Sequence, residues 1–187
     1  KLVEAFKFRK KNYFKGIPSQ GASYGDVSWK FCTELYGEGD DDHLTFASLM
    51  INGNYHRFIT EILPVLSTKK IVMVCNENAK FDKLPFDVVK DFRCGTNCMI
   101  NDYNLIGEIS KWIEDHDITN HVFLFSSATL SNYLIHQLFK HYDTNQYIDI
   151  GSSLGFHLDL KGCYYRGYLQ LYWLNEGALD TGDAVWN

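Results

Sequence analysis

The residues best placed for chemistry lie in a predicted strand–helix–strand unit at positions 121–153. A buried parallel strand at 122–125 is followed by Ser126 and Ser127, either of which can cap the helix that begins there. The next strand ends in polar and small residues: Asp149, Gly151 and Ser152. At such a strand end, free backbone N–H groups and the helix dipole attract phosphate groups. The unit therefore predicts a nucleotide site, and a βαβ unit with no ligand is the alternative.

Other polar side chains follow other predicted strands. Asn76 and Glu77 come directly after the apolar run 71–75, and Asn97 lies in the polar loop that follows residues 88–92. Because parallel strands end at one edge of a sheet, we expect these side chains near the turn at 126–127.

Three consecutive carboxylates form a separate candidate site. Asp40, Asp41 and Asp42 lie in a glycine-containing loop before His43. An acidic run of this kind is typical of a solvated turn, and the alternative is a site for a divalent cation or sugar hydroxyls.

Alternating strands and helices must position these residues. We predict helices at 1–15, 44–50, 55–66 and 103–113, a short strand at 22–24, and a helix from Gly25 through Leu35. This order predicts an α/β fold, Rossmann-like, with a mostly parallel sheet and helices on both faces. The length of 187 residues fits a single domain, and a start at Lys1 allows a segment of a longer multidomain protein.

Composition narrows the class of protein further. The net charge of −5 disfavours nucleic acid as a partner, and five cysteines without metal-finger spacing predict reduced, buried thiols. No apolar run reaches the ~18 residues of a membrane span, so we expect a cytoplasmic protein without a transmembrane segment. The chain also lacks the phosphate loop, the GxGxxG fingerprint, HExxH and the GxSxG elbow.

Three strings, in order, carry a family resemblance. SYGDVSW at 23–29 resembles the RYGDGEW-type motif of glycosyltransferases with the GT-D fold. FLFSSATLSNYLIHQLF followed by YIDIGSSL resembles the second signature of that family, and NCMIN resembles its loop containing Asn and Cys. The similarity runs from about Gly21 to Leu169.

The resemblance implies transfer of a sugar from a nucleoside diphosphate donor, usually a UDP-sugar, to a glycan acceptor in polysaccharide biosynthesis. Asp26 matches the family's Asp, which is associated with Mn²⁺ or Mg²⁺, but Ser28 stands where the family has Glu. The candidates for the catalytic base are three carboxylates: Asp26, Asp42 and Glu77. The expected donor-binding residues are Tyr24, Gly25, Asn76, Asn97, Ser126, Ser127, Asp149, Gly151 and Ser152. The expected acceptor-binding residues are Asn52, Asn54 and Tyr55.

Two other functions stay open. A degenerate transferase that has lost its metal carboxylate at Ser28 would bind glycan without turnover. A methyltransferase that binds S-adenosylmethionine would also use a strand end with an acidic residue, although no glycine-rich loop follows the first apolar strand.

Overall fold

The computed structural model describes residues 1–18, 25–37, 43–163 and 165–174. They divide into two compact units, of which the first comprises Lys1–Phe58 with Gly167–Asn187 and the second comprises Ile59–Arg166. The prediction of a single domain stays a prediction.

The elements follow one another along the chain as helices and short strands. The α-helices are α1 Leu2–Lys7, α2 Gly25–Tyr36, α3 Tyr55–Arg57, α4 Leu63–Leu66, α5 Cys98–Asn101, α6 Leu105–Asp115, α7 Thr129–His141 and α8 Gly167–Leu174. The strands are β1 Lys15–Ile17, β2 Leu44–Phe46, β3 Ile71–Asn76, β4 Val88–Cys94, β5 Val122–Ser126 and β6 Gln146–Asp149.

Two of the predicted helices of the first unit are wrong. The helix predicted at 1–15 ends at Lys7, since Phe8 is extended with φ −64° and ψ 130°. The helix predicted at 44–50 is instead β2, which pairs in parallel with β1. The backbone of β1 supplies hydrogen-bond partners for β2, and local propensity does not reveal them. This pairing outweighs the helical pattern of residues 44–50. The predicted strand at 22–24 lies outside the described residues.

The helix predicted at 55–66 forms, with an irregular middle. A π-helical segment at Phe58–Ile62 separates α3 from α4. Pro64 lies in the first turn of α4, where its missing N–H and its ring disfavour a regular i→i−4 pattern with the preceding turn. The π segment is therefore a local consequence of the proline.

The second unit is built on a four-stranded parallel sheet with the order β4-β3-β5-β6. Val72 lies opposite Phe123, and Val74 opposite Phe125. The chain goes from β3 to β4 on one side and then returns to place β5 on the other side, so the strand order reverses between β3 and β5. The fold is thus α/β and Rossmann-like, with a switch point between β3 and β5.

The core of the second unit covers the sheet. Val72, Val74, Phe123 and Phe125 pack with Ile109 of α6 and with residues of α7 on one face. The alternate residues of β3 and β5 are buried as well: Ile71, Met73, Cys75, Val122 and Leu124. Burial on both faces is typical of a parallel sheet, and it explains the continuous apolar runs in these strands. Within the described ranges, none of the helices combines the length and apolar character required to cross a bilayer.

Candidate functional site

The candidate site is the edge of the four-stranded sheet at which its strands end. β3 ends at Asn76, β4 at Cys94, β5 at Ser126 and β6 at Asp149. All four strands are parallel, so the loops that follow them share this edge. The second unit therefore carries seven of the predicted donor-binding residues at these strand ends and in the loops that follow: Asn76, Asn97, Ser126, Ser127, Asp149, Gly151 and Ser152.

The turn from β5 into α7 has a strained backbone. Ala128 is the residue before the helix, with φ 47° and ψ −138°, a conformation that non-glycine residues seldom adopt. No side chain caps the helix, so the predicted capping by Ser126 or Ser127 is wrong. Ser131 bonds back to this turn instead, because its Oγ accepts the Ser127 N–H at 3.2 Å and lies 3.0 Å from Ser127 Oγ.

This turn leaves two backbone donors unused. The Leu130 and Ser131 N–H groups donate to the carbonyl oxygens of Ser127 and Ala128, at 3.2 and 3.0 Å. Within the described part of the chain, the N–H groups of Ala128 and Thr129 donate to no protein acceptor. They stand at the positive end of the 13-residue helix α7, an arrangement suited to an anionic ligand.

The end of β6 is tied to the end of β5 through its turn. Asp149 Oδ1 accepts the Gly151 N–H at 3.0 Å, and Ser126 Oγ donates to the Gly151 carbonyl at 2.7 Å. Gly151 has φ +50°, which glycine adopts without strain. Although Asp149 is an exposed residue, desolvation by neighbouring atoms raises the pKa of its carboxyl, while the Gly151 N–H and the Ser131 hydroxyl lower it. Asp149 thus fixes the turn.

The loops after β3 and β4 contain an exposed carboxylate. Asn76 Oδ1 accepts hydrogen bonds from the N–H and the side-chain amide of Asn78, at 2.9 and 3.1 Å. The Glu77 N–H donates to the Cys94 carbonyl at 2.9 Å. The exposed carboxylate of Glu77 lies beside Gly95. Asn97 is exposed with φ 53°, and its side chain does not cap α5. The side chains of Glu77 and Asn97 are therefore available to a ligand, while the side-chain carbonyl of Asn76 holds the loop in shape.

Sequence reasoning missed three residues of this edge. Ser153 is fully buried, and its Oγ has no hydrogen-bond partner within the described residues. Arg93 donates to the Ala79 carbonyl at 2.6 Å, pairs with Asp91, and stacks on Phe81 at 4.3 Å, which braces the β3–β4 loop. The unusual backbone of Ala128 was also missed, although only residues 127 and 128 separate β5 from α7. A connection of two residues requires a sharp turn, and this connection contains no glycine. The sequence therefore did carry a signal for an unusual backbone at this turn.

The predicted metal residue lies in the first unit. Asp26 is exposed in the first turn of α2, directly after Gly25, and the partly buried Ser28 follows in the same turn. Among the described residues there is no group of three or more metal-ligating side chains. Mg²⁺ is often held by one or two carboxylates together with substrate phosphates, and Asp26 supplies one carboxylate. Tyr24 and Asp42 lie outside the described residues.

The predicted acceptor residues divide into two kinds. Asn52, with φ 53°, and the exposed Asn54 form a 3₁₀ turn at the surface. Tyr55 is fully buried, and its hydroxyl accepts a hydrogen bond from Trp173 Nε1 at 2.9 Å. Burial raises the pKa of Tyr55, and the rings of Phe58, Tyr168 and Tyr172 surround it. The structure gives Tyr55 a packing role, with no surface open to an acceptor.

No protein-family model, curated protein or solved structure matches this chain. The resemblance to GT-D glycosyltransferases therefore rests on the sequence motifs. The fold defines the chain as a Rossmann-like α/β protein with a polar sheet edge.

Proposed function

We propose that the chain is a cytoplasmic glycosyltransferase domain that transfers a sugar from a nucleoside diphosphate donor, a UDP-sugar, to a glycan acceptor. The observation that carries the proposal is the turn at Ala128, with two unused N–H donors at the start of α7. This turn follows β5, beside the switch point where ligands of open α/β sheets bind. The motif resemblance selects glycosyl transfer among the reactions of such folds.

In this proposal the two N–H groups bind the diphosphate of the donor. Negative charge grows on the diphosphate as the glycosidic bond breaks, so fixed donors at Ala128 and Thr129 stabilise the transition state more than the ground state. Glu77 and Asn97 contact the donor sugar or the nucleoside from the neighbouring loops. Asp149 holds the β6 turn in the shape that the donor requires.

Asp26 has a separate role in the proposal. It would hold Mn²⁺ or Mg²⁺, and an ion held there would supply positive charge to a leaving diphosphate. The base that accepts the proton of the acceptor hydroxyl is one of Asp26, Asp42 and Glu77. Of these, Asp26 and Glu77 are exposed in the described structure, as a base in contact with an acceptor must be.

Ser28 favours one rival function. The side chain at this position cannot replace the carboxylate of the family motif as a metal ligand of equal strength. A glycan-binding domain without transferase activity would bind glycan and no donor, and this difference separates the two functions.

Donor binding is tested first by thermal unfolding. A ligand that binds only the native state raises the Tm, so UDP and UDP-sugars should raise it with or without Mn²⁺. S-adenosylhomocysteine serves as the control for a methyltransferase. A rise with S-adenosylhomocysteine and none with any nucleotide sugar would reject the proposal.

The role of the Ala128 turn is tested by a matched pair of variants. Thr129→Pro removes one unused N–H at the first position of α7, where helices tolerate proline. Thr129→Ala keeps the N–H and removes only the hydroxyl. We expect Thr129→Pro to weaken UDP binding about tenfold or more and Thr129→Ala to leave it unchanged. Equal affinities in the two variants, with both folded by circular dichroism, would exclude this turn from donor binding.

A further inference from the structure

Two cysteines flank the loop between β4 and α5, next to the turn at Ala128. Cys94 is the last residue of β4, and Cys98 is the first residue of α5. Both side chains are buried in the core cluster on the sheet face that α6 and α7 cover. Their thiol groups interact with each other directly. The second unit therefore holds two reduced thiols in contact on one face of its sheet.

Cys75 does not share this arrangement, although it lies in the neighbouring strand β3. It follows Val74, which belongs to the same core cluster as Cys94, and consecutive residues of a strand point to opposite faces. The Cys94 thiol reaches the backbone carbonyl of Cys75, at 3.5 Å. The structure therefore favours Cys98 as the thiol partner of Cys94.

The loop that joins the two cysteines can follow a small movement of their sulfur atoms. It consists of Gly95, Thr96 and Asn97, of which the last two are exposed. Asn97 has φ 53°, and the Gly95 N–H donates to a carboxylate oxygen of Asp102 at 2.9 Å. Glycine has a wide choice of backbone conformations, so the loop can adjust to the geometry that a disulfide requires.

The Cys98 thiol also contacts the Ala128 turn. Its Sγ donates to the Ser127 carbonyl oxygen at 3.3 Å, and the same oxygen accepts the Leu130 N–H at 3.2 Å. A bond between the Cys98 and Cys94 sulfurs would remove this S–H donor, while the carbonyl would retain the Leu130 N–H. The oxidation state of Cys98 therefore changes the hydrogen bonding of the turn that precedes α7.

We propose that Cys94 and Cys98 form a reversible disulfide, with a small-molecule disulfide as the oxidant, and that this bond loosens the Ala128 turn. The Cys98 thiolate attacks one sulfur of the small disulfide, which gives a mixed disulfide and releases a first small thiol. The Cys94 thiolate then attacks the Cys98 sulfur and releases the second. Two protein thiols are oxidised, one small disulfide is reduced, and the two protons pass to the released thiols.

The order of the two attacks follows from burial. Cys98 is 9% exposed and Cys94 is 3% exposed, so the small disulfide reaches Cys98 first. Burial and the neighbouring Cys98 thiol raise the pKa of Cys94 to about 12, which makes Cys94 slow toward a reagent from solution. In the second step Cys94 needs no such encounter, because its target is the sulfur beside it.

The consequence for ligand binding is a form of regulation. A looser turn holds the N–H groups of Ala128 and Thr129 less firmly, so oxidation should weaken the binding of a nucleoside diphosphate there. This consequence rests on the proposed function, whereas the disulfide and its effect on the turn do not. The experiments below therefore measure the bond, the turn and the ligand separately.

The bond is tested by peptide mapping of the full chain after incubation with glutathione disulfide. Trypsin cleaves after Arg93 and Lys111, so one peptide contains both Cys94 and Cys98 and no other cysteine. This peptide should lose the mass of two hydrogens and resist alkylation until it is reduced. Cys75→Ala is the control and should form the same bond. A 94–111 peptide that stays reduced, or that stops at a mixed disulfide, would overturn the proposal.

The turn is tested by amide hydrogen exchange of Leu130 and Ser131, measured by NMR. Their N–H groups donate to the carbonyls of Ser127 and Ala128, and both should exchange about threefold faster or more in the oxidised chain. Cys98→Ala removes the donor and should exchange as the oxidised chain does. Cys98→Ser keeps a hydroxyl donor and should match the reduced chain, with or without oxidant. Equal exchange in the two redox forms of the unaltered chain would overturn the effect on the turn.

Ligand binding is tested by calorimetry with UDP on the reduced and the oxidised chain. We expect oxidation to weaken binding about threefold or more, and Cys98→Ser to show no response to the oxidant. Equal affinities of the two redox forms would overturn the proposed regulation. Absence of UDP binding to the reduced chain would instead reject the proposed function, and the peptide map and the exchange rates would still decide whether the disulfide acts on the turn.

Discussion

At the scale of single residues, Ala128 departs furthest from ordinary backbone geometry within the candidate site. Its φ of 47° with ψ −138° lies outside the regions where a residue with a Cβ is comfortable. Strain of this kind costs about 1–3 kcal/mol and persists where the surrounding structure fixes it. Here the buried strand β5 and the helix α7 fix both ends of the turn.

Replacement of Ala128 by glycine should therefore stabilise the protein. Glycine removes the steric strain, and its greater freedom in the unfolded chain cancels part of the gain, so the free energy of unfolding should rise by up to about 1 kcal/mol. Ala5→Gly in α1 is the control and should lower it by about 0.5–1 kcal/mol, because Ala5 is helical. Urea denaturation measures both. A destabilised Ala128→Gly variant would show that Ala128 is not strained.

Single residues also mark the limit of prediction from sequence. Tyr55 was expected at an acceptor surface, yet it is a fully buried member of an aromatic cluster with Trp173, 118 residues further along the chain. Ser127 was expected to face a ligand, yet its hydroxyl lies against Ser131. The residue types predicted polar interactions at both positions. The hydrogen-bond partners, however, are other residues of the chain, and the tertiary structure determines which ones they are.

At the scale of elements, the strands of the second unit were predictable and those of the first were not. The predictions of a strand at 71–75 and of another at 122–125 are confirmed, because a sheet buried on both faces leaves an uninterrupted apolar run. The prediction of a helix at β2 was wrong, because three residues are too few to show the alternation that identifies a strand. Its strand character comes from pairing with β1.

The segment after β6 provides a prediction at this scale. A Cβ added at Gly155 would lie 2.5 Å from Cys163 Cβ and 2.7 Å from its Sγ, so this close approach requires glycine. Gly155→Ala should lower the free energy of unfolding by about 1–3 kcal/mol, as overpacking of an ordered interior does. Urea denaturation of Gly155→Ala alone and with Cys163→Gly is the measurement.

The second variant of that pair relieves the contact. Cys163→Gly removes the two nearest atoms that the new methyl group would meet and leaves the Ser152 carbonyl oxygen at 3.1 Å, so the double variant should lose less stability than the sum of the two single variants. Gly107→Ala is a suitable control, because nothing lies within 4 Å of its added Cβ. Strict additivity in the double variant would contradict the proposed contact.

At the scale of the whole molecule, burial of a histidine links stability to pH. Burial, together with the charge of Lys83, lowers the pKa of His157 below its ordinary value of 6.5. Above about pH 6.5 the imidazole is neutral in both states, and below it the unfolded chain binds the proton first. Stability should therefore fall as the pH decreases below about 6.5 and level off below the native pKa.

Unfolding in urea between pH 7.5 and pH 5 checks this dependence. His157→Gln removes the titrating group, so the fall in stability over this range should be smaller than in the unaltered protein. The difference between the two slopes is the informative quantity, because all other groups contribute to both. Identical slopes would show that His157 has the same pKa in the folded and unfolded chains.

The topology of the whole molecule also explains which part of the candidate site could be predicted from the sequence. The sheet edge was predictable, because the alternation of strands and helices dictates where parallel strands end. The pairing of Asp26 with that edge was an expectation from motif order, and the two lie in different compact units. Order along a chain does not determine the distance between such residues, so the metal role of Asp26 stays a prediction.

The reaction rates of the thiols at the sheet edge can measure how often this edge opens. Burial raises the pKa of Cys75 to about 11 and of Cys94 to about 12, while Cys98 donates to the Ser127 carbonyl at 3.3 Å. Only thiolates react readily with alkylating reagents, so the raised pKa values predict slow modification of Cys75 and Cys94, and burial shields the Cys98 thiol from the reagent. All three should be modified far more slowly than the partly exposed Cys32. Mass spectrometry after timed iodoacetamide treatment would follow each site separately. The modification rate of Cys98 would then report how often the strand ends separate, and donor binding at the Ala128 turn should slow it.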